Sequence, residues 1–178
     1  KLMKDILPDM VLNFRRSFLE ALGNIKYKGK HHELLVHGEE REINDHSEII
    51  EAYGDAKWKV VDLINEHYSS VLKQKFDLYN WLHHNEEDEL AYFLSEAGSN
   101  CLSHSQFKAP HKFHLWMGEK GFIVGIEQLG KGFPAELVHK RKIKQNDGAA
   151  FEFFEKCQSN IFFDDPHNAK MVFMEYQF

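Results

Sequence analysis

Two segments downstream of Pro110, "KFHLWM" and "GFIVGIEQ", alternate at period two and are separated only by the turn "GEKG". Two such runs joined by a short polar turn fold as an antiparallel hairpin. A second pair closes the chain, with "NIFFDD" and "AKMVFMEYQ" flanking the turn "DPHN". A sheet with apolar positions on its faces must bury one of them, and the material to cover it lies upstream, where the apolar period is helical. The expected architecture is α+β: a two-layer sandwich with helices packed on one face of a mixed, mostly antiparallel sheet.

Three helices are expected before Pro110. In residues 5–22, Leu7, Met10, Val11, Phe14, Phe18 and Leu22 repeat at helical spacing, with Pro8 in the first turn and Gly23 at the end. The apolar side carrying Phe14 and Phe18 either packs on the same domain or serves as a partner or homodimer surface. Residues 56–74 carry a stripe of Trp58, Val61, Ile64, Tyr68 and Val71. The third helix is expected to start at Asn85 as N-cap, with Asp88 at the capping-box position and Glu86 to Glu89 at the positive end of its dipole. Upstream, "ELLVHGEEREI" suggests a short hairpin turning at His37 and Gly38. Residues 129–148 are polar, basic and without a clean period, which predicts a long mobile loop. "AAFEFFEKCQ" predicts a short helix. The organisation expected is an N-terminal helical and hairpin extension, residues 1–45, followed by the main domain, residues 46–178.

Bulk properties narrow the function. A formal net charge of -6 over 178 residues is a poor footprint for nucleic acid. No apolar run approaches the roughly 20 residues of a membrane span, and the first ten residues lack a signal peptide's apolar core. A cytoplasmic protein is expected. Two cysteines, Cys101 and Cys157, do not make a disulfide scaffold. Twelve histidines invite a metal site, with His31, His32 and His37 as the densest candidates, although "HHELLVH" lacks the spacing of a zinc protease.

Chemistry concentrates in "SEAGSNCLSH", where Glu96, Asn100 and His104 recur every four residues. Steps of four drift only about 40° around a helix. The three side chains therefore form a slowly turning row beside the stripe of Leu90, Phe93, Leu94, Ala97 and Cys101. Gly98 sits inside this helix and costs roughly 1 kcal/mol relative to Ala. A close approach to its backbone would account for that.

Glu-x-x-x-Asn-x-x-x-His on a helix, then a strand ending in a G-x-G loop, a long lid, and a glycine opening another helix resembles the GHKL superfamily of ATPases. That superfamily includes gyrase, mismatch-repair, histidine-kinase and anti-sigma-factor kinase domains. The likeness covers about residues 56–178. It implies binding of ATP with Mg²⁺, and most nearly a serine protein kinase or anti-sigma-like regulator of bacterial signalling, acting on a protein partner. Glu96 matches the acid that orients or deprotonates the attacking group. Asn100 matches the amide that binds Mg²⁺ between the phosphates, and His104 a polar position near them. Gly130 and Gly132 match the glycines of the D-x-G-x-G loop over adenine, and Gly148 the first glycine of the later phosphate box. Lys140, Arg141, Lys142 and Lys144 fall in the lid.

Each implied role is chemically sound. Mg²⁺ takes hard oxygen ligands and retains several waters, so one amide carbonyl beside phosphate oxygens suffices. Phosphoryl transfer depends on positioning and charge neutralisation. Two positions depart from the family pattern. Gln128 stands where the family has the aspartate that meets the adenine amino group, while strand alternation sends the neighbouring acid, Glu127, to the opposite face. Ala150 stands where the later box has a second glycine. These departures leave open a degenerate module that keeps the fold and binds a protein without turnover.

Overall fold

The computed structural model describes residues 13–144 and 157–178. Its centre is a five-stranded, fully antiparallel sheet in the order β1-β2-β3-β5-β4. The strands are β1 (Tyr27–Leu35), β2 (Pro110–Gly118), β3 (Gly121–Gln128), β4 (Asn160–Phe163) and β5 (Met171–Gln177). Both hairpins anticipated from the period-two runs are present, β2 with β3 and β4 with β5.

Alternation along the strands sorts the residues between two faces. Phe113, Leu115, Met117, Phe122, Val124 and Ile126 point to an inner face, where they join the largest core cluster. Helix α2 (Ile50–His67) and helix α4 (Glu89–His104) supply the other half of that cluster through Val60, Val61, Ile64, Leu90, Phe93 and Leu94. A single turn, α3 (Tyr79–Leu82), leads into α4. The helices-on-a-sheet sandwich is thus realised, with one addition. Helix α1 (Phe18–Asn24) lies on the outer face, where Ala21 and Ile25 pack with Trp116, Ile123, Phe162 and Phe173. Phe18 meets Trp116 edge-on at 4.6 Å and Phe173 at 5.1 Å. Phe14 stacks on Phe163 at 5.9 Å. Both rings thus pack within their own domain.

Several boundaries fall elsewhere than local pattern indicates. The described part of the first helix begins at Phe18, because Ser17 caps it through Glu20 and Asn13 ties up the amides of Arg15 and Arg16. Residues 5–12 lie outside the described residues. The hairpin expected at His37 does not form: β1 is one nine-residue strand, and its partner is β2. Strand β1, which lies within residues 1–45, is the edge strand of the same five-stranded sheet. Helix α2 spans residues 50–67 rather than 56–74. It stops where the Tyr68 hydroxyl turns to the carbonyls of Gly118 and Gly121, 2.7 Å from each.

The lid region is also different. Residues 135–144 form helix α5 (Ala135–Lys144), anchored by the antiparallel bridge between Phe133 and Ala169 and by buried Ala135. The basic run thus starts on a helix, where Lys140 pairs with Glu136 at 3.5 Å. Of the helix expected at "AAFEFFEKCQ", residues 149–156 lie outside the described residues, and Cys157 and Gln158 are not helical.

Candidate functional site

Helix α4 is positioned by its first two residues. Asp88, not Asn85, is the N-cap: its buried carboxylate accepts from Ala91 N at 3.0 Å. The same group accepts from Asp77 N and from the Asn80 amide, each at 2.8 Å. A carboxylate with three donors at a helix start outcompetes Asn85, whose side chain receives only the amide of Glu87. Glu89 fastens the helix to the approach to β4, accepting from Ser159 N at 3.1 Å and Ser159 Oγ at 2.8 Å.

The polar row emerges along the edge of this helix. Glu96 is half-buried and its carboxylate accepts the indole N–H of Trp81 at 3.1 Å. Asn100, one turn on, is half-buried, and His104 is exposed in the last turn. Among the described residues neither of these two side chains makes a hydrogen bond. The close approach anticipated at Gly98 exists, and a protein side chain makes it. A Cβ there would stand 2.3 Å from the Tyr53 hydroxyl oxygen. Burial pushes the Tyr53 phenol up to about 12, partly opposed by its hydrogen bond with Ser99.

Gln128 ends β3 on the inner face and is buried. Its amide nitrogen donates to the Lys131 carbonyl at 3.0 Å, which leaves its oxygen as an acceptor. Gly130 has φ +82°, the left-handed conformation that favours glycine. Its α-carbon faces Gln106, and the Gln106 side-chain oxygen accepts from Lys131 N at 2.7 Å. Gly132 is backed by Asn168, whose Oδ1 would lie 2.3 Å from a Cβ there. The glycine turn is therefore seated between the segment that follows α4 and the β4–β5 turn. Gly148 lies outside the described residues.

The molecule brings the helix row and the glycine turn to the same side of the sheet, linked through Gln106 just past His104. Two conspicuous hollows lie elsewhere. One, about 720 Å³, is lined by Glu86, Glu87, Glu89 and Glu175 among others. The other, about 380 Å³, lies between α2 and the 74–80 segment. Neither is lined by Glu96, Asn100, His104 or residues 128–132.

The histidines distribute differently from expectation. His32 faces inward, and His37 donates to the Arg41 carbonyl at 3.2 Å, so neither joins His31. His31 instead meets Glu33 and His114. The alternation of His31 with Glu33 and of His114 with Trp116 was the available signal, but the register joining the two strands is not contained in either stretch. Neither cysteine is in a disulfide, and both are buried. Among the described residues no helix is long and apolar enough to cross a membrane. No family model, no curated protein and no solved structure matches the chain.

Proposed function

We propose that the chain is an ATP- and Mg²⁺-binding domain of the GHKL kind, acting as a serine protein kinase or anti-sigma-like regulator. The observation that carries the reading is the seating of the glycine turn. β3 delivers Gln128 on the helix-bearing face, and left-handed Gly130 backs onto Gln106, two residues past the end of the row Glu96, Asn100, His104. In this reading Asn100 supplies one oxygen to the metal, the free oxygen of Gln128 receives the adenine amino group, and Glu96 orients the attacking hydroxyl. The Trp81 indole holds the Glu96 carboxylate in place until substrate arrives.

ATP with Mg²⁺ at a hundredfold excess over its Kd stabilises the folded state by about 2.7 kcal/mol. For a chain of this size that raises Tm by roughly 5–10 °C. Asn100→Ala abolishes the rise. No shift in the unaltered protein at millimolar nucleotide overturns the proposal.

A second reading, a degenerate module that binds a partner without turnover, is favoured by the same contacts seen the other way. Trp81 occupies Glu96, and protein atoms crowd both glycines of the turn. A nucleotide-induced shift with no phosphate released or transferred selects this reading. Phosphate release that disappears in Glu96→Gln selects the first.

A further inference from the structure

Helix α1 covers only part of the outer face. The part formed by β1, β2 and the end of β3 carries His31, Glu33, Lys112, His114 and Glu127 instead. Register sets them together: His31 lies opposite Trp116, Glu33 opposite His114, and Lys112 opposite Glu127. His31 Nε2 and His114 Nδ1 are 3.1 Å apart. The two ring centroids are 5.3 Å apart with planes 10° apart, so the imidazoles meet edge to edge rather than face to face. Both lie nearly parallel to the Trp116 indole, at 4.6 Å and 5.2 Å. Gly125 makes room for that indole, since a Cβ there would stand 3.1 Å from it.

The far side of His114 settles its tautomer. Its Nε2 is 2.7 Å from a Glu127 carboxylate oxygen, so Nε2 carries the hydrogen and donates it. Nδ1 is left with its lone pair directed at His31. Glu33 Oε1 stands 3.8 Å from the same Nδ1, while its other oxygen is held by Lys112 at 3.2 Å. The three candidate ligand atoms all lie within 4.8 Å of one another.

We propose that His31 Nε2, His114 Nδ1 and Glu33 Oε1 form a binding site for a divalent ion of the zinc class, with Glu127 orienting His114 from behind. Two imidazoles and one carboxylate select such an ion over Mg²⁺ or Ca²⁺, which take oxygen ligands. Zn–N bonds of about 2.0–2.1 Å in a tetrahedral site place two ligand nitrogens roughly 3.3 Å apart, close to the present spacing, and each ring must also turn so that its lone pair leaves the N···N line and points to the ion. A carboxylate accepting the second N–H of a ligand histidine is the usual outer support of a zinc site. Binding shifts one hydrogen of His31 from Nε2 to Nδ1 and leaves the ring neutral. His31 and Glu33 are both solvent-exposed, which leaves the fourth position to water.

The test is calorimetric titration of the full chain with Zn²⁺ alone at pH 7.5, repeated with Co²⁺ to read the visible bands of a four-coordinate centre. One Zn²⁺ per chain is expected, removable by chelator and indifferent to excess Mg²⁺. His31→Ala and Glu33→Gln, at exposed positions, each weaken binding at least about tenfold, and Glu127→Gln weakens it roughly 10–100-fold. His37→Ala leaves it unchanged. No zinc bound by the unaltered chain, or equal affinity in His31→Ala and Glu33→Gln, overturns the proposal, as does loss of zinc in His37→Ala. Nucleotide plays no part in these titrations, so this site and the ATP site stand or fall separately.

Discussion

Gly98 offers a way to ask whether the middle of α4 is shaped for a ligand or for the protein itself. An alanine inside a helix is better than glycine by about 0.8–1 kcal/mol. At this position the added carbon would lie 2.3, 2.7 and 2.9 Å from the Oη, Cε2 and Cζ atoms of Tyr53. Tyr53 is buried and packs edge-on against Phe113 at 5.9 Å, so its ring has little room to withdraw. Overpacking of this kind costs about 1–3 kcal/mol. Gly98→Ala is therefore expected to destabilise the chain by about 1 kcal/mol net of the helix gain. In a Tyr53→Ala background the clash is gone, and the same substitution should stabilise by about 1 kcal/mol. The coupling energy of the cycle is then about 2 kcal/mol, well above the roughly 0.5 kcal/mol seen between independent sites. Equilibrium urea unfolding of the four proteins, followed by circular dichroism, measures it. Coupling below that threshold would refute the packing argument. A Gly98→Ala protein of unchanged stability that had lost its nucleotide-induced Tm shift would show that the glycine serves a ligand.

Three other outcomes are expected. Glu175 is 1% exposed, and Arg16, 3.6 Å away, is its ion-pair partner. Arg16→Ala should destabilise by about 1–3 kcal/mol in urea unfolding, because the buried Glu175 carboxylate loses its cation and keeps only the amide donors of Asn24 and Gln177. The pKa of His31 lies below 6.5 in the folded chain, chiefly through burial and then through His114, with His32 and Lys112 acting the same way and Glu33 opposing. Between that lowered value and 6.5 the unfolded chain binds more protons. The His31 contribution to metal-free stability should thus be lost as pH drops below 6.5, read as a shallower fall in His31→Gln than in the unaltered chain. Burial pushes the Cys101 thiol up to about 12 and raises that of Cys157 as well, so neither should react with a disulfide reagent at pH 8 until urea unfolds the chain.

Local periodicity carries a good part of this fold. Both hairpins and the core stripe of α4 could be read because each needs only neighbouring residues. Alternation likewise placed Gln128 inside and Glu127 outside. The errors arise where a distant partner decides. Asp88 displaces Asn85 as cap because Asp77 and Asn80 come to it. β1 runs on through its histidines because β2 pairs with it, not the residues after Gly38. Helix α5 has a mostly polar sequence and is held by Phe133, Ala169 and buried Ala135, none of which its own period announces. The row Glu96, Asn100, His104 was legible as a helix edge, and Gly98 as a point of contact, but the atom making that contact was not. The pairing of His31 with His114 depends wholly on the β1–β2 register.

Trp116 is gripped from two sides, by Phe18 of α1 and by the imidazole of His31. Its indole is consequently an optical probe built into the sheet. Protonating or ligating the adjacent ring changes the quenching of its emission, and detaching α1 exposes it to solvent. Trp58 and Trp81 belong to the helical side and are insulated from both events by the thickness of the sheet. A chain retaining only Trp116 would therefore convert the state of its outer surface directly into a fluorescence signal.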